Sequence, residues 1–138
     1  MKLVADANVL LSAVLGGRAG LVLKHKAVEE ILTTAFTMGE VQEYAAELAR
    51  AKRLPLDVVL LATAALPVTV VERDVYADLL LEAERRISQR DPDDAEALAL
   101  ALHLKLPLWS NDRDFEGTGV EQFTTAQLLS KLSRESKE

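Results

Sequence analysis

No cysteine occurs among the 138 residues. Disulfide frameworks, thiolate metal sites and cysteine nucleophiles are therefore excluded, which suits a reducing compartment. Aromatic side chains are scarce, at 4%, so base stacking offers little sign of sequence recognition. No apolar run approaches the roughly 18 residues of a membrane span, and the start MKLVADAN lacks a signal-peptide layout. A cytoplasmic protein without membrane contact is expected. Positive charge is also in deficit, with 16 Lys and Arg against 22 Asp and Glu, a net −6. Taken as a total, that balance argues against a nucleic-acid partner, because phosphate binding is driven largely by bases. A total misleads when the acids are gathered in one place. Here they bunch at Asp91, Asp93, Asp94, Asp112 and Asp114, while bases bunch at Arg50, Lys52, Arg53 and at Arg85, Arg86, Arg90. A basic rim around an acidic centre is compatible with this, although such small basic clusters are usually solvated helix faces.

The length fits one domain over residues 1–138, able to bury its own core, with a charged tail from about 133 expected to fray. KLVA at 2–5 predicts a strand ending at Asp6, and NVLLSAVL a helix broken by Gly16 and Gly17. A helical turn near 21–26 and a strand near 31–34 precede a helix over 38–52 whose apolar stripe is Val41, Tyr44, Ala45 and Leu48. A second helix over 56–65, a β-branched strand at 68–71 and a helix over 75–88 follow. DPDDAEALALALHL is apolar almost all the way round beyond its first turn, which predicts burial on several sides. PLWS and residues 122–123 complete the strands, and 125–132 the helices. Strands alternating with helices predict an α/β fold, three α/β/α layers around a central, mostly parallel sheet.

In such sheets ligand sites form beyond the carboxyl ends of the strands, where the topology switches direction. That rule gives the acids a common address. Asp6 ends the first strand, Asp112 and Asp114 follow PLWS, and Asp94 opens the helix before it. Each also has a purely structural account: Asp6 or Asn8 can cap a helix, and Asp91 with Pro92 and Asp94 forms a helix-start signature. On the 38–52 helix Glu40, Glu43 and Glu47 share a face, with Glu43 expected to lean towards Asp6 and Glu40 as its rival. Four carboxylates about 5 Å apart repel by about 3 kcal/mol per pair at an effective dielectric near 20. A cation must neutralise them, and an all-oxygen donor set points to Mg²⁺ or Mn²⁺ rather than zinc. His25 falls in a charged loop and His103 is expected in the core.

The order VADANVLLSA, FTMGEVQEYAAEL, DPDDAEALALAL and PLWSNDRDF resembles a PIN domain over nearly the whole chain. The resemblance implies a metal-dependent nuclease fold; many small members are ribonuclease toxins of toxin–antitoxin pairs. It matches Asp6, Glu43, Asp94 and Asp112 to the four acids of the family, with Glu40 an alternative for the second, and Asp114 to a frequent extra acid. Asn8 and Ser110 match supporting polar residues. The expected chemistry is RNA hydrolysis at Mg²⁺ or Mn²⁺ held by Asp6, Asp94, Asp112 and Asp114, with Arg113 and the 50–53 cluster contacting phosphate. A homodimer, through the apolar 56–65 helix, and an antitoxin partner are implied as well. Two rival classes stand beside it. A receiver-like signalling domain wants a Lys at a late strand end, which is missing, and a catalytically silent nuclease-fold binding module is opposed by the intact acids.

Overall fold

The computed structural model describes residues 1–87 and 90–136. Its centre is a five-stranded, wholly parallel sheet of β1 (Lys2–Ala5), β2 (Glu30–Thr34), β3 (Thr69–Val71), β4 (Leu108–Trp109) and β5 (Gln122–Phe123), in the order β3-β2-β1-β4-β5. Period-two alternation sends successive strand residues to opposite faces. Leu3, Ala5, Ile31 and Trp109 face one apolar cluster, while Val4, Leu32 and Leu108 face the other. With both faces covered, the central strand needs apolar residues at successive positions, which is why LVA is buried without interruption.

The first layer consists of α1 (Ala7–Val14), α2 (Ala19–Leu23), α3 (Ala35–Ala51) and, at the end of the chain, α7 (Thr125–Ser136), contributing Val9, Leu10, Val22, Val41, Leu128 and Leu132. α4 (Leu56–Ala64) packs Val59 on Ala45 and Ala49 of α3. α5 (Leu80–Ile87) and α6 (Ala95–Leu104) form the opposite layer, with Ala83, Ile87, Leu98 and Leu100 inward. Every residue of α6 from Ala95 to Ala101 is buried, as its all-round apolar pattern requires. Among the described residues no helix is long and apolar enough to cross a membrane.

α1 stops where Gly16 takes a left-handed φ of 84°, and the amides of Gly16 and Gly17 turn back to the carbonyls of Ala13 (3.2 Å) and Ser12 (2.8 Å). Several expectations are corrected. α3 starts at Ala35 rather than 38, because Thr34 caps it by accepting from the Thr37 amide. The helix expected over 75–88 is two 3₁₀ turns, Arg73–Val75 and Ala77–Leu79, and then α5; its expected end at Ser88 lies outside the described residues. α7 continues to Ser136 through part of the tail expected to fray, whose last two residues also lie outside them. His103 is exposed rather than in the core, its Nδ1 3.9 Å from Asp78 Oδ1, because it lies in the last turn of α6, beyond the buried run.

Candidate active site

The strand order places the switch of direction between β1 and β4, and the acids gather at the carboxyl edge there. A cleft of about 200 Å³ is lined by Asp6, Asn8, Thr37, Glu40, Tyr44, Asp91, Asp93, Asp94 and Asp112. Asp6 leaves β1 and caps α1, its Oδ1 accepting from the Val9 amide at 3.3 Å. Its other oxygen accepts from the Ser110 hydroxyl. Ser110 Oγ in turn accepts from the Asp112 amide at 2.9 Å, so one buried hydroxyl couples the first and fourth acids. Asp6 is only 4% exposed. Burial outweighs the hydrogen bonds from Ser110, Val9 and Asn8 and pushes its carboxyl up from 3.8 to about 6.

After β4 the chain turns through residues 110–116. Asp112 Oδ1 accepts from the Asp114 amide at 2.9 Å, and Gln122 Nε2 donates to the carbonyls of Ser110 (3.0 Å) and Asp112 (2.8 Å). Asn111 Oδ1 accepts from the Thr125 amide at 2.8 Å, tying the turn to α7. Arg90 donates to the carbonyls of Asp114 and Glu116. Held this way, carboxylate oxygens of Asp94, Asp112 and Asp114 lie within 4.8 Å of one another. Asp94 Oδ2 is buried with no hydrogen-bond partner among the described residues. Burial first, then a hydrogen bond shared with Asp114 and the charge of Asp112, push Asp94 up from 3.8 to about 8.

Glu40, rather than Glu43, is the acid that α3 sends into the cleft. Glu43 is exposed and does not line it. Three residues turn the helix by about 300° and advance it about 4.5 Å, enough to carry Glu43 out of the cleft. Glu40 is half-buried, and burial together with the facing Asp93 and Asp91 pushes it up from 4.5 to about 7. Asp91, Asp93, Thr37 and Tyr44 line the cleft without having been singled out as site residues from sequence. So do the positioning roles of Asn111 and Gln122 go unsignalled, since nothing local marks a side chain that braces a distant turn. The bases fare differently from a simple rim. Arg85 and Arg86 pair with Glu82, Arg86 also donates to the Thr118 carbonyl at 2.9 Å, and Arg90 braces the acidic turn. Arg50 lies ten residues beyond Glu40, about 15 Å along α3. Arg113 is exposed on the turn between Asp112 and Asp114.

Acids from four separate segments converging at a parallel sheet's switch point form an oxygen-only donor set for a hard cation. A family model for the PIN domain matches residues 4–133. The chain belongs to the PIN domain family. Its PIN fold is similar to PAE2754 from Pyrobaculum aerophilum, at a TM-score of 0.74 and 18% identity over 97% of this chain and 90% of that one. It is also similar to VapBC2 from Rickettsia felis, described as bound to a DNA fragment from its promoter (0.66, 14%, 90% and 98%). A third PIN-fold relative, VapC20 from Mycobacterium tuberculosis, is described as a Sarcin-Ricin loop cleaving toxin (0.61, 21%, 86% and 95%). At these identities the likeness is one of fold. No curated protein matches the chain significantly by sequence. PIN membership supports reading the acidic cleft as that of a nuclease.

Proposed function

We propose that this PIN domain is an endoribonuclease dependent on Mg²⁺ or Mn²⁺ and the toxin of a toxin–antitoxin pair, hydrolysing phosphodiesters of single-stranded RNA in the cytoplasm. One observation carries the reading: the buried, unpartnered Asp94 Oδ2, on a carboxyl whose own proton is held above its usual range, within a cluster shared with Asp112 and Asp114. A buried acceptor left without a donor is costly, and a hard cation is the partner that an all-oxygen set fits. Asp94, Asp112 and Asp114 would hold it, with Asp6 across the cleft completing the set. When bound, such a cation polarises a phosphoryl oxygen and lowers the pKa of a coordinated water.

The chain's own groups divide the remaining work. Ser110 orients the Asp6 carboxylate by donating to it. Glu40, pushed up to about 7, can carry a proton at its carboxyl near neutral pH. Asn8, exposed at the mouth of the cleft, offers an amide to a phosphate oxygen. The antitoxin reading is supported by a similar structure described as a toxin–antitoxin complex, from Klebsiella pneumoniae. The homodimer reading is supported by α4, which leaves Val58, Leu60 and Leu61 exposed. Wild type and Asp94→Asn, purified in parallel, test the activity on a mixed RNA pool with Mn²⁺ and with chelator. Wild type alone should cleave, and only with metal. Equal cleavage by both proteins, or cleavage indifferent to chelator, refutes the proposal.

A further inference from the structure

Glu96 follows Asp94 by two residues yet turns away from the cleft. It lies in the first turn of α6, 7% exposed, and both carboxylate oxygens are committed. Oε1 accepts from the Arg73 guanidinium, and Oε2 accepts from the Tyr76 hydroxyl at 2.5 Å. Neither oxygen is free to be a metal ligand. Tyr76 stands fully buried between the two 3₁₀ turns that follow β3. Burial and the Glu96 bond push its phenol up to about 12, so it stays a donor throughout the working pH range. The same hydroxyl also meets that of Thr34.

Thr34 ends β2 and caps α3. Its Oγ1 accepts from the Thr37 amide at 2.8 Å and lies 2.7 Å from Thr37 Oγ1. Thr37 is buried and lines the cleft. Arg73 closes the arrangement from outside, its guanidinium 5.9 Å above the ring of Phe36, in the first turn of α3. A continuous polar chain therefore runs from the start of α6 to the start of α3.

Such a chain is not the cheapest way to join two helices. A buried carboxylate needs a full set of partners, and apolar residues of equal volume commonly serve stability as well or better. Apolar packing tolerates small slides, whereas hydrogen bonds hold only over a narrow range of distance and angle. The separation fixed here is the one the cleft depends on. Asp94 lies two residues before Glu96, and Glu40 lies three after Thr37, less than one helical turn.

We propose that Glu96 is a positioning residue that, through Tyr76, Thr34 and Thr37, sets the separation of Glu40 on α3 from Asp94 ahead of α6. The inference rests on the reading of the cleft as a metal-dependent nuclease site. Cutting the chain lets the two helix starts move independently, so metal affinity and turnover fall together while binding of RNA outside the cleft does not change.

Tyr76→Phe keeps the ring and removes the link; Glu96→Gln keeps an acceptor for Tyr76 and removes the charge that holds Arg73. Each is measured for Mn²⁺ affinity by calorimetry and for kcat and KM on a single-stranded RNA reporter, alone and in a Glu40→Gln background. Tyr76→Phe should weaken Mn²⁺ and lower kcat by about tenfold, the usual cost of losing a partner that orients ligands, with KM within about twofold. Glu96→Gln should do the same to a smaller degree. In the Glu40→Gln background Tyr76→Phe should lower kcat little further, because the residue it positions is already gone. Wild-type Mn²⁺ affinity in both variants, whatever their melting temperatures, overturns the inference, as does a full and additive loss in the Glu40→Gln background. If wild type binds Mn²⁺ without cleaving RNA and Tyr76→Phe still weakens the metal, positioning stands and the ribonuclease reading falls. A wild type that binds no Mn²⁺ refutes both.

Discussion

Asp6→Asn should stabilise the metal-free protein at neutral pH and lose that advantage in acid. The Asp6 carboxyl titrates at 3.8 when exposed and at about 6 in the fold. Because the folded value is the higher one, its contribution to stability is fully present below 3.8 and is lost as pH rises through 6. Above that range the buried charge costs about 3 kcal/mol relative to the unfolded chain. Asn carries no charge and keeps an oxygen for the Val9 amide. Its amide nitrogen replaces the oxygen that accepted from Ser110; the charged part of that bond is already contained in the folded titration, and losing the neutral remainder returns about 1 kcal/mol. A net gain of about 2 kcal/mol remains, or roughly 3–8 °C in a domain of this size. Melts followed by circular dichroism in chelator at pH 4 and pH 7.5 measure it. Mn²⁺ at ten times its Kd should then stabilise wild type by about 1.4 kcal/mol and the variant far less. A variant that melts at or below wild type at pH 7.5, or a gap of the same size at both pH values, refutes the electrostatic account of the cleft.

Glu40→Gln should slow cleavage of an RNA reporter by about a hundredfold and leave a measurable remainder, while Glu43→Gln leaves it within about threefold, exposed substitutions being commonly mild; the reverse ranking would place the second acid one turn further along α3. Arg90→Ala removes the brace on the turn bearing Asp112 and Asp114 and should weaken Mn²⁺ affinity measurably by calorimetry, by about tenfold; an unchanged affinity means that Gln122 and Asn111 suffice. Leu98→Ala opens a cavity in the fully buried face of α6 and should cost about 2–5 kcal/mol in urea titration. Leu61→Glu, at a side chain 71% exposed on α4, should convert a dimer to monomer in size-exclusion chromatography with light scattering, and a monomeric wild type would remove the dimer from the proposal.

Much of this architecture is written locally. KLVA followed by Asp6, and PLW followed by a polar run, mark strands that end at a site, because apolar residues stop where the sheet stops. The unbroken apolar face of α6 likewise announces its burial between layers. What local pattern cannot supply is register between distant segments. Glu40 and Glu43 share a helix face, and only the true start of α3 decides between them. That start is set by Thr34, which reads as strand within ILTT and is both the last strand residue and the cap. The 3₁₀ turns at 73–79 depart from the expected helix where Arg73 and Tyr76 reach Glu96, twenty or more residues later. His103 misleads for the opposite reason: an apolar helix suggests a core position, yet the last turn protrudes from the layer.

The pairing of β1 with β4 has a consequence for how the protein is made. β1 is synthesised long before β4, so Val4 waits for Leu108, and Asp6 waits for Ser110, 104 residues later. Contacts of such separation form late, and domains fold as units during synthesis. A growing chain therefore carries Asp6, Glu40 and Asp94 without the segment that brings them into one cluster. Premature termination before Ser110 leaves out Ser110, Asp112 and Asp114, and the acidic cluster is complete only once β4 has paired with β1.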